Sequence, residues 1–154
     1  MIQNDTIAAI ATPNAVGGIS MIRISGPDAV LIAGRVFRTA SKKPLESYKG
    51  YSGAYWNVFD AEGEIDNAVA FIYRTPKSYT GEDTVEISCH GGIIVTRRLL
   101  RSILSAGARL AEAGEFTKRA YLNGKMTLTQ AESVLDIINS QSEQAARCAM
   151  TALD

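Results

Sequence analysis

A chain of 154 residues with 46% apolar and 21% charged residues suits one compact domain plus an added element, and it leaves little room for extensive disorder. Sixteen Lys and Arg against sixteen Asp and Glu give a net charge of zero. A domain that held nucleic acid mainly through phosphates should carry a basic excess, so composition offers no support for that role.

Residues 5–11 (DTIAAIA) read as a first strand, closed by Thr12-Pro13-Asn14. Gly17-Gly18 opens a second strand over 19–25, with Ile22 and Ile24 on one face and Met21 and Arg23 on the other. Ser25-Gly26-Pro27-Asp28 starts a helix in which Ala29, Ile32, Ala33 and Val36 fall at helical spacing, and 41–45 is a loop. Residues 51–59 and 65–73 form a hairpin across the turn signal DAEGE. A strand over 84–89 leads through Gly91-Gly92 into a helix reaching Leu104. Ile94, Val95, Leu99, Leu100 and Ile103 form its expected buried side, and Gly107 its end. A short strand over 108–111, a short helix over 115–122 and a long helix over 129–153 complete the chain. The long helix has an apolar stripe of Ala131, Val134, Leu135, Ile138 and Ala145. Strands mixed with helices, including a hairpin, predict an α+β fold with a mixed or antiparallel sheet and a long C-terminal helix.

Cys89 and Cys148 have no cysteine or histidine partner at zinc-ligand spacing and are expected as reduced thiols in a cytoplasmic protein. The N-terminus lacks a basic region followed by a long apolar run, so no signal peptide is expected. No apolar stretch approaches the ~20 residues of a membrane span, and no membrane partner is expected.

Two polar segments stand apart from core filler. SYTGEDTVEISCHGG (78–92) holds three acidic residues, the single histidine and three glycines. Strand alternation puts Glu86 on one face with Thr84, Ser88 and His90, and Val85, Ile87 and Cys89 on the other. That polar face either meets solvent or lines a pocket. In a pocket, a fixed carboxylate can accept two parallel hydrogen bonds from an amidine-like edge such as a pterin or guanine presents. His90 has no nucleophile with paired base and orienter, so a structural role is expected, with the imidazole bonding nearby backbone at the helix start. Arg23, on an isoleucine-rich strand, pairs with an internal carboxylate or meets an anionic ligand. Lys125 follows Asn123-Gly124 in the second segment, GEFTKRAYLNGK (114–125), at a turn where backbone and ammonium could reach one oxygen. No phosphate loop is present. Gly124-Lys125 is the nearest fragment, but Met126 follows it and Arg119 occupies the first glycine position. Glu132, Asp136 and Glu143 lack metal-ligand spacing with any histidine.

DTIAAIATPNAVGGISMIRISG, SYTGEDTVEISCHGG, GEFTKRAYLNGKMTLTQAESVLDII and SEQAAR resemble the N-terminal region of the MnmE/TrmE family of tRNA-modifying GTPases. The resemblance covers nearly the whole chain, with 36–65 the most variable stretch. It departs at Thr127, where the family commonly carries an acidic residue, which argues against a carboxylate role at that turn. The resemblance implies a domain like the tetrahydrofolate-binding domain of one-carbon transferases over 1–122. The start of a helical domain would follow over 123–154, with the GTPase domain and its GTP, magnesium and potassium sites lying elsewhere. It implies a cytoplasmic homodimer that binds 5-formyl-tetrahydrofolate or 5,10-methylenetetrahydrofolate. The ligand-contacting positions carried over are Arg23, Glu86 and Lys125. A flavin-containing partner protein would complete a heterotetramer that modifies C5 of the wobble uridine of tRNA. An independent one-carbon transferase and a folate-free dimerisation scaffold are the competing readings; a direct RNA-binding module is disfavoured by the net charge.

Overall fold

Period-two alternation builds the sheet. On β2 (Ile19–Ser25), Ile22 and Ile24 are buried while Met21 and Arg23 are half-exposed. On β6 (Thr84–His90), Val85, Ile87 and Cys89 are buried while Glu86 and Ser88 are half-exposed. These two strands pair antiparallel, with Ile22 opposite Ile87 and Arg23 opposite Glu86. One face of the pair is therefore apolar and the other polar, as the sequence predicts.

The computed structural model describes residues 5–12, 18–39, 43–90 and 92–153. The expectations on Pro13-Asn14, Gly17, the start of the 41–45 loop and Gly91 lie outside these, and Ala145 lies outside the described side chains. The chain divides into two units: Met1–Ser78 with Glu82–Ala111, and Tyr79–Gly81 with Glu112–Asp154.

The first unit contains β1 (Ile7–Ile10), β2, α1 (Ala29–Val36), β3 (Phe37–Thr39), β4 (Ser52–Asp60), β5 (Gly63–Tyr73), β6, α2 (Ile93–Ser105) and β7 (Arg109–Leu110). Its strands form one mixed sheet in the order β3-β4-β5-β6-β2-β1-β7. The β1–β7 pair is parallel and the others are antiparallel. Ile22, Ile24, Val58, Ala70, Ile72, Val85 and Ile87 supply the sheet's side of the core. Val30, Ile32, Ala33 and Val36 of α1 and Leu99 and Ile103 of α2 belong to the same cluster. Burying each large aliphatic side chain contributes about 1.5–3 kcal/mol. β1 is fastened to the start of α1 at Gly26, where φ is +142° and an added Cβ would sit 2.6 Å from Thr6 Cα. The Thr6 hydroxyl there accepts from the Asp28 backbone N–H at 2.9 Å.

Two elements were not foreseen: β3, which continues directly from α1, and a 3-10 turn over Leu45–Ser47. Ile94 corrects the expected α2 stripe. It is 79% exposed, because the buried side of α2 begins at Thr96 and continues through Leu99 and Ile103.

In the second unit, α3 (Glu115–Leu122) and α4 (Leu128–Leu153) follow the sequence prediction closely. Arg119 is almost fully buried, with a guanidinium nitrogen 3.5 Å from Glu115 of the preceding turn. A buried guanidinium is tolerable when such a partner offsets its desolvation. Thr127 and Gln130 cap α4 reciprocally: Gln130 N–H donates to the Thr127 hydroxyl at 3.1 Å, and Thr127 N–H to the Gln130 side-chain oxygen at 2.9 Å. No helix among the described residues is long and apolar enough to cross a membrane.

Candidate functional site

The polar face of β2 and β6 carries the candidate site. Register brings Arg23 opposite Glu86 on one side, and Phe71 of β5 opposite Glu86 on the other. Arg23 donates from its terminal guanidinium nitrogen to Glu86 Oε2 at 3.3 Å, and both side chains are partly accessible, at 23% and 16%. Two residues further along β5, Tyr73 shares the face of Phe71 and lies within electrostatic reach of Glu86. Burial first, then the nearby Glu86 charge, push the Tyr73 phenol above its ordinary pKa. The Phe71 and Tyr73 rings lie 4.9 Å apart, and Tyr51 meets Tyr73 edge-on at 6.0 Å. A fixed carboxylate beside a cation and aromatic surface can hold a flat polar heterocycle by its edge and its face.

The other acidic residues of 78–92 hold the loop. Glu82 accepts from the Ser25 hydroxyl at 2.9 Å. Asp83 accepts from the Thr75 backbone N–H at 2.8 Å and lies 3.5 Å from Arg74. Thr84, on the Glu86 face, is buried because its hydroxyl bonds the Glu82 carbonyl and the Ser25 hydroxyl. His90 departs from the expected imidazole–backbone bond. Its backbone N–H donates to Asp66 at 2.8 Å, while its ring is 69% exposed with Nδ1 3.8 Å from that carboxylate. Cys89 faces the core, where burial, then the charge of Asp66, raises its thiol pKa.

Lys125 belongs to the second unit. Its backbone N–H donates to the Ala120 carbonyl at 2.8 Å, which closes the end of α3 and leaves the side chain exposed. A short segment of the same unit fixes its stem. Asn123 donates to the Thr80 carbonyl at 2.8 Å, and Tyr79 and Thr117 share a hydroxyl hydrogen bond of 2.9 Å. Gly81, at φ +81°, sits so close that an added Cβ would lie 3.0 Å from Asn123 Cβ and 3.3 Å from Lys125 Cγ. A side chain here would be strained by its backbone and crowd the lysine.

Of the three residues expected at the site, Arg23 and Glu86 are thus joined directly in one unit, and Lys125 stands in the other. Sequence reasoning missed Tyr73, Phe71 and Tyr51. Alternation on β5 puts Phe71 and Tyr73 on one face, but the register that sets them beside Glu86 comes from long-range pairing.

Residues 6–125 match the family described as GTP-binding protein TrmE N-terminus. The chain belongs to this family. A tRNA modification GTPase MnmE from Geobacter sulfurreducens is 50% identical over 145 residues, covering 94% of this chain and 32% of the relative. Proteins of the same name from Chlorobium phaeobacteroides and Clostridioides difficile are 49% and 47% identical, over 97% and 100% of this chain and 32% and 34% of theirs. The chain therefore spans about a third of the length of the curated relatives it matches.

Proposed function

We propose that this chain is the N-terminal, reduced-folate-binding and dimerising domain of a cytoplasmic tRNA-modifying GTPase. The observation that carries the reading is the Arg23–Glu86 pair, held at 3.3 Å on a partly accessible sheet face beside Tyr73 and Phe71. Glu86 accepts from the 2-amino and N3 edge of a pterin. Arg23 positions that carboxylate and offsets charge on the ligand. Tyr73 stands beside Glu86, and its ring borders the heterocycle. Lys125 is the third ligand-contacting residue. The folate, 5-formyl- or 5,10-methylenetetrahydrofolate, supplies the one-carbon unit for C5 of the wobble uridine.

In this reading the folate domain runs over 1–122 and the helical domain starts at 123. GTP hydrolysis, with magnesium and potassium, belongs to the whole protein, and a flavin-containing protein and tRNA are its partners. The exposed side chains of Ile19, Tyr51, Tyr55 and Val69 support self-association of the unit.

Calorimetric titration with 5-formyl-tetrahydrofolate tests the proposal. One charge-assisted hydrogen bond is worth about 1.5–3 kcal/mol, so Glu86→Ala should weaken binding by roughly one to two decades. Unchanged affinity removes Glu86 from the site.

A further inference from the structure

On the first unit, away from the Arg23–Glu86 row, a groove of about 460 Å³ runs between α2 and the turn joining β4 to β5. Its walls carry Arg97, Arg98 and Arg101 of α2 and Asp60 and Glu62 of the turn, with Ile94 exposed at the helix start. These charges are not equivalent. Arg98 is committed to Asp60 through two parallel hydrogen bonds, from Nε and from a terminal nitrogen. That contact holds the Asp60 carboxyl below its ordinary pKa and fixes one wall. Arg97 and Arg101 are exposed and form no ion pair or hydrogen bond among the described residues. Four residues apart on one helix, they lie about 6 Å from each other along its axis and on the same side.

The zero net charge conceals this patch. Residues 87–111 contain four arginines and no acidic residue. A total over the chain says nothing about a local field. Two uncommitted guanidiniums one helical turn apart suit successive phosphates of one strand, each a planar fork against phosphate oxygens.

We propose that this groove is a docking surface for the phosphate backbone of an RNA strand, with Arg97 and Arg101 as its phosphate contacts. The proposal rests on reading the chain as part of a tRNA-modifying enzyme, which selects RNA over an acidic protein segment as the anion.

The test measures binding of an unmodified tRNA transcript to the intact protein between 50 and 200 mM KCl. Each lost phosphate contact reduces the slope of log affinity against log salt by about 0.7–0.9. The doubly substituted Arg97→Gln, Arg101→Gln protein should therefore lose roughly 1.4–1.8 from that slope and bind about a hundredfold more weakly at the lowest salt. Arg97→Lys with Arg101→Lys, which keeps the charge, should retain most of the slope. A Gln-substituted protein with wild-type affinity and slope overturns the proposal. So does a wild type that fails to bind tRNA, or a substitution that impairs association with another protein while leaving RNA binding intact. Reduced-folate affinity should be unchanged in the Gln-substituted protein. Absent folate binding in the wild type would sink the folate reading without touching the salt slopes.

Discussion

The two faces of the central strands invite comparison. Ile22, Ile87 and Ile72 are fully buried in the core cluster shared with α1 and α2, whereas their chain neighbours Arg23, Glu86, Phe71 and Tyr73 stand partly accessible on the reverse face. Backbone and register are common to both faces, so the difference is in the side chains alone. The apolar face loses little by being featureless, since transfer from water is non-directional. The reverse face sets a cation and a carboxylate in contact beside two packed aromatic rings, which burial of apolar surface alone does not require. A half-exposed ion pair contributes modestly to stability, which supports the proposal that its arrangement serves a ligand.

Substitution on each face should separate the two. Ile87→Ala removes a fully buried side chain from the core and should cost about 2–5 kcal/mol of unfolding free energy in urea titration. Tyr55→Asp, on an exposed position opposite Val69, should change the unfolding free energy of the separated monomer by roughly 0.5 kcal/mol or less. Sedimentation should nevertheless show it shifting the protein from dimer to monomer. A dimer that survives would remove this part of the sheet from the proposed self-association. The smallest effect is spectroscopic. Tyr73 has a raised pKa, so its contribution to stability is present below the ordinary tyrosine value near 10 and is lost as pH rises through the raised one. Absorbance titration should show a late-ionising phenol that Tyr73→Phe abolishes. A titration unaltered by that substitution would detach Tyr73 from Glu86.

Much of this was legible in the amino-acid order wherever the determinants are local. β2 and α3 fall where alternation, Gly-Pro punctuation and helical spacing put them. Glu86 and Arg23 stand out because a charge on a strand with a buried face is conspicuous. Ile94 was misread because helical spacing continues to the helix end, whereas core contact does not. The capping pair of Thr127 and Gln130 was written plainly as Thr-Leu-Thr-Gln, and went unread beside the question of a missing carboxylate. Burial of Arg119 and the neighbourhood of Tyr73 depend on long-range packing, which no local window contains. The arginine groove was hidden for another reason: a summed charge of zero averages a basic helix against acidic segments elsewhere.

The central claim is that the Arg23–Glu86 row exists for a ligand and not for the fold. The isosteric substitution Glu86→Gln tests it when melting temperature and affinity for 5-formyl-tetrahydrofolate are measured on one preparation. The account predicts a melting temperature within a few degrees of wild type, and affinity at least about tenfold weaker. A protein that melts far earlier yet binds the folate as tightly as wild type would make the row structural and contradict the account.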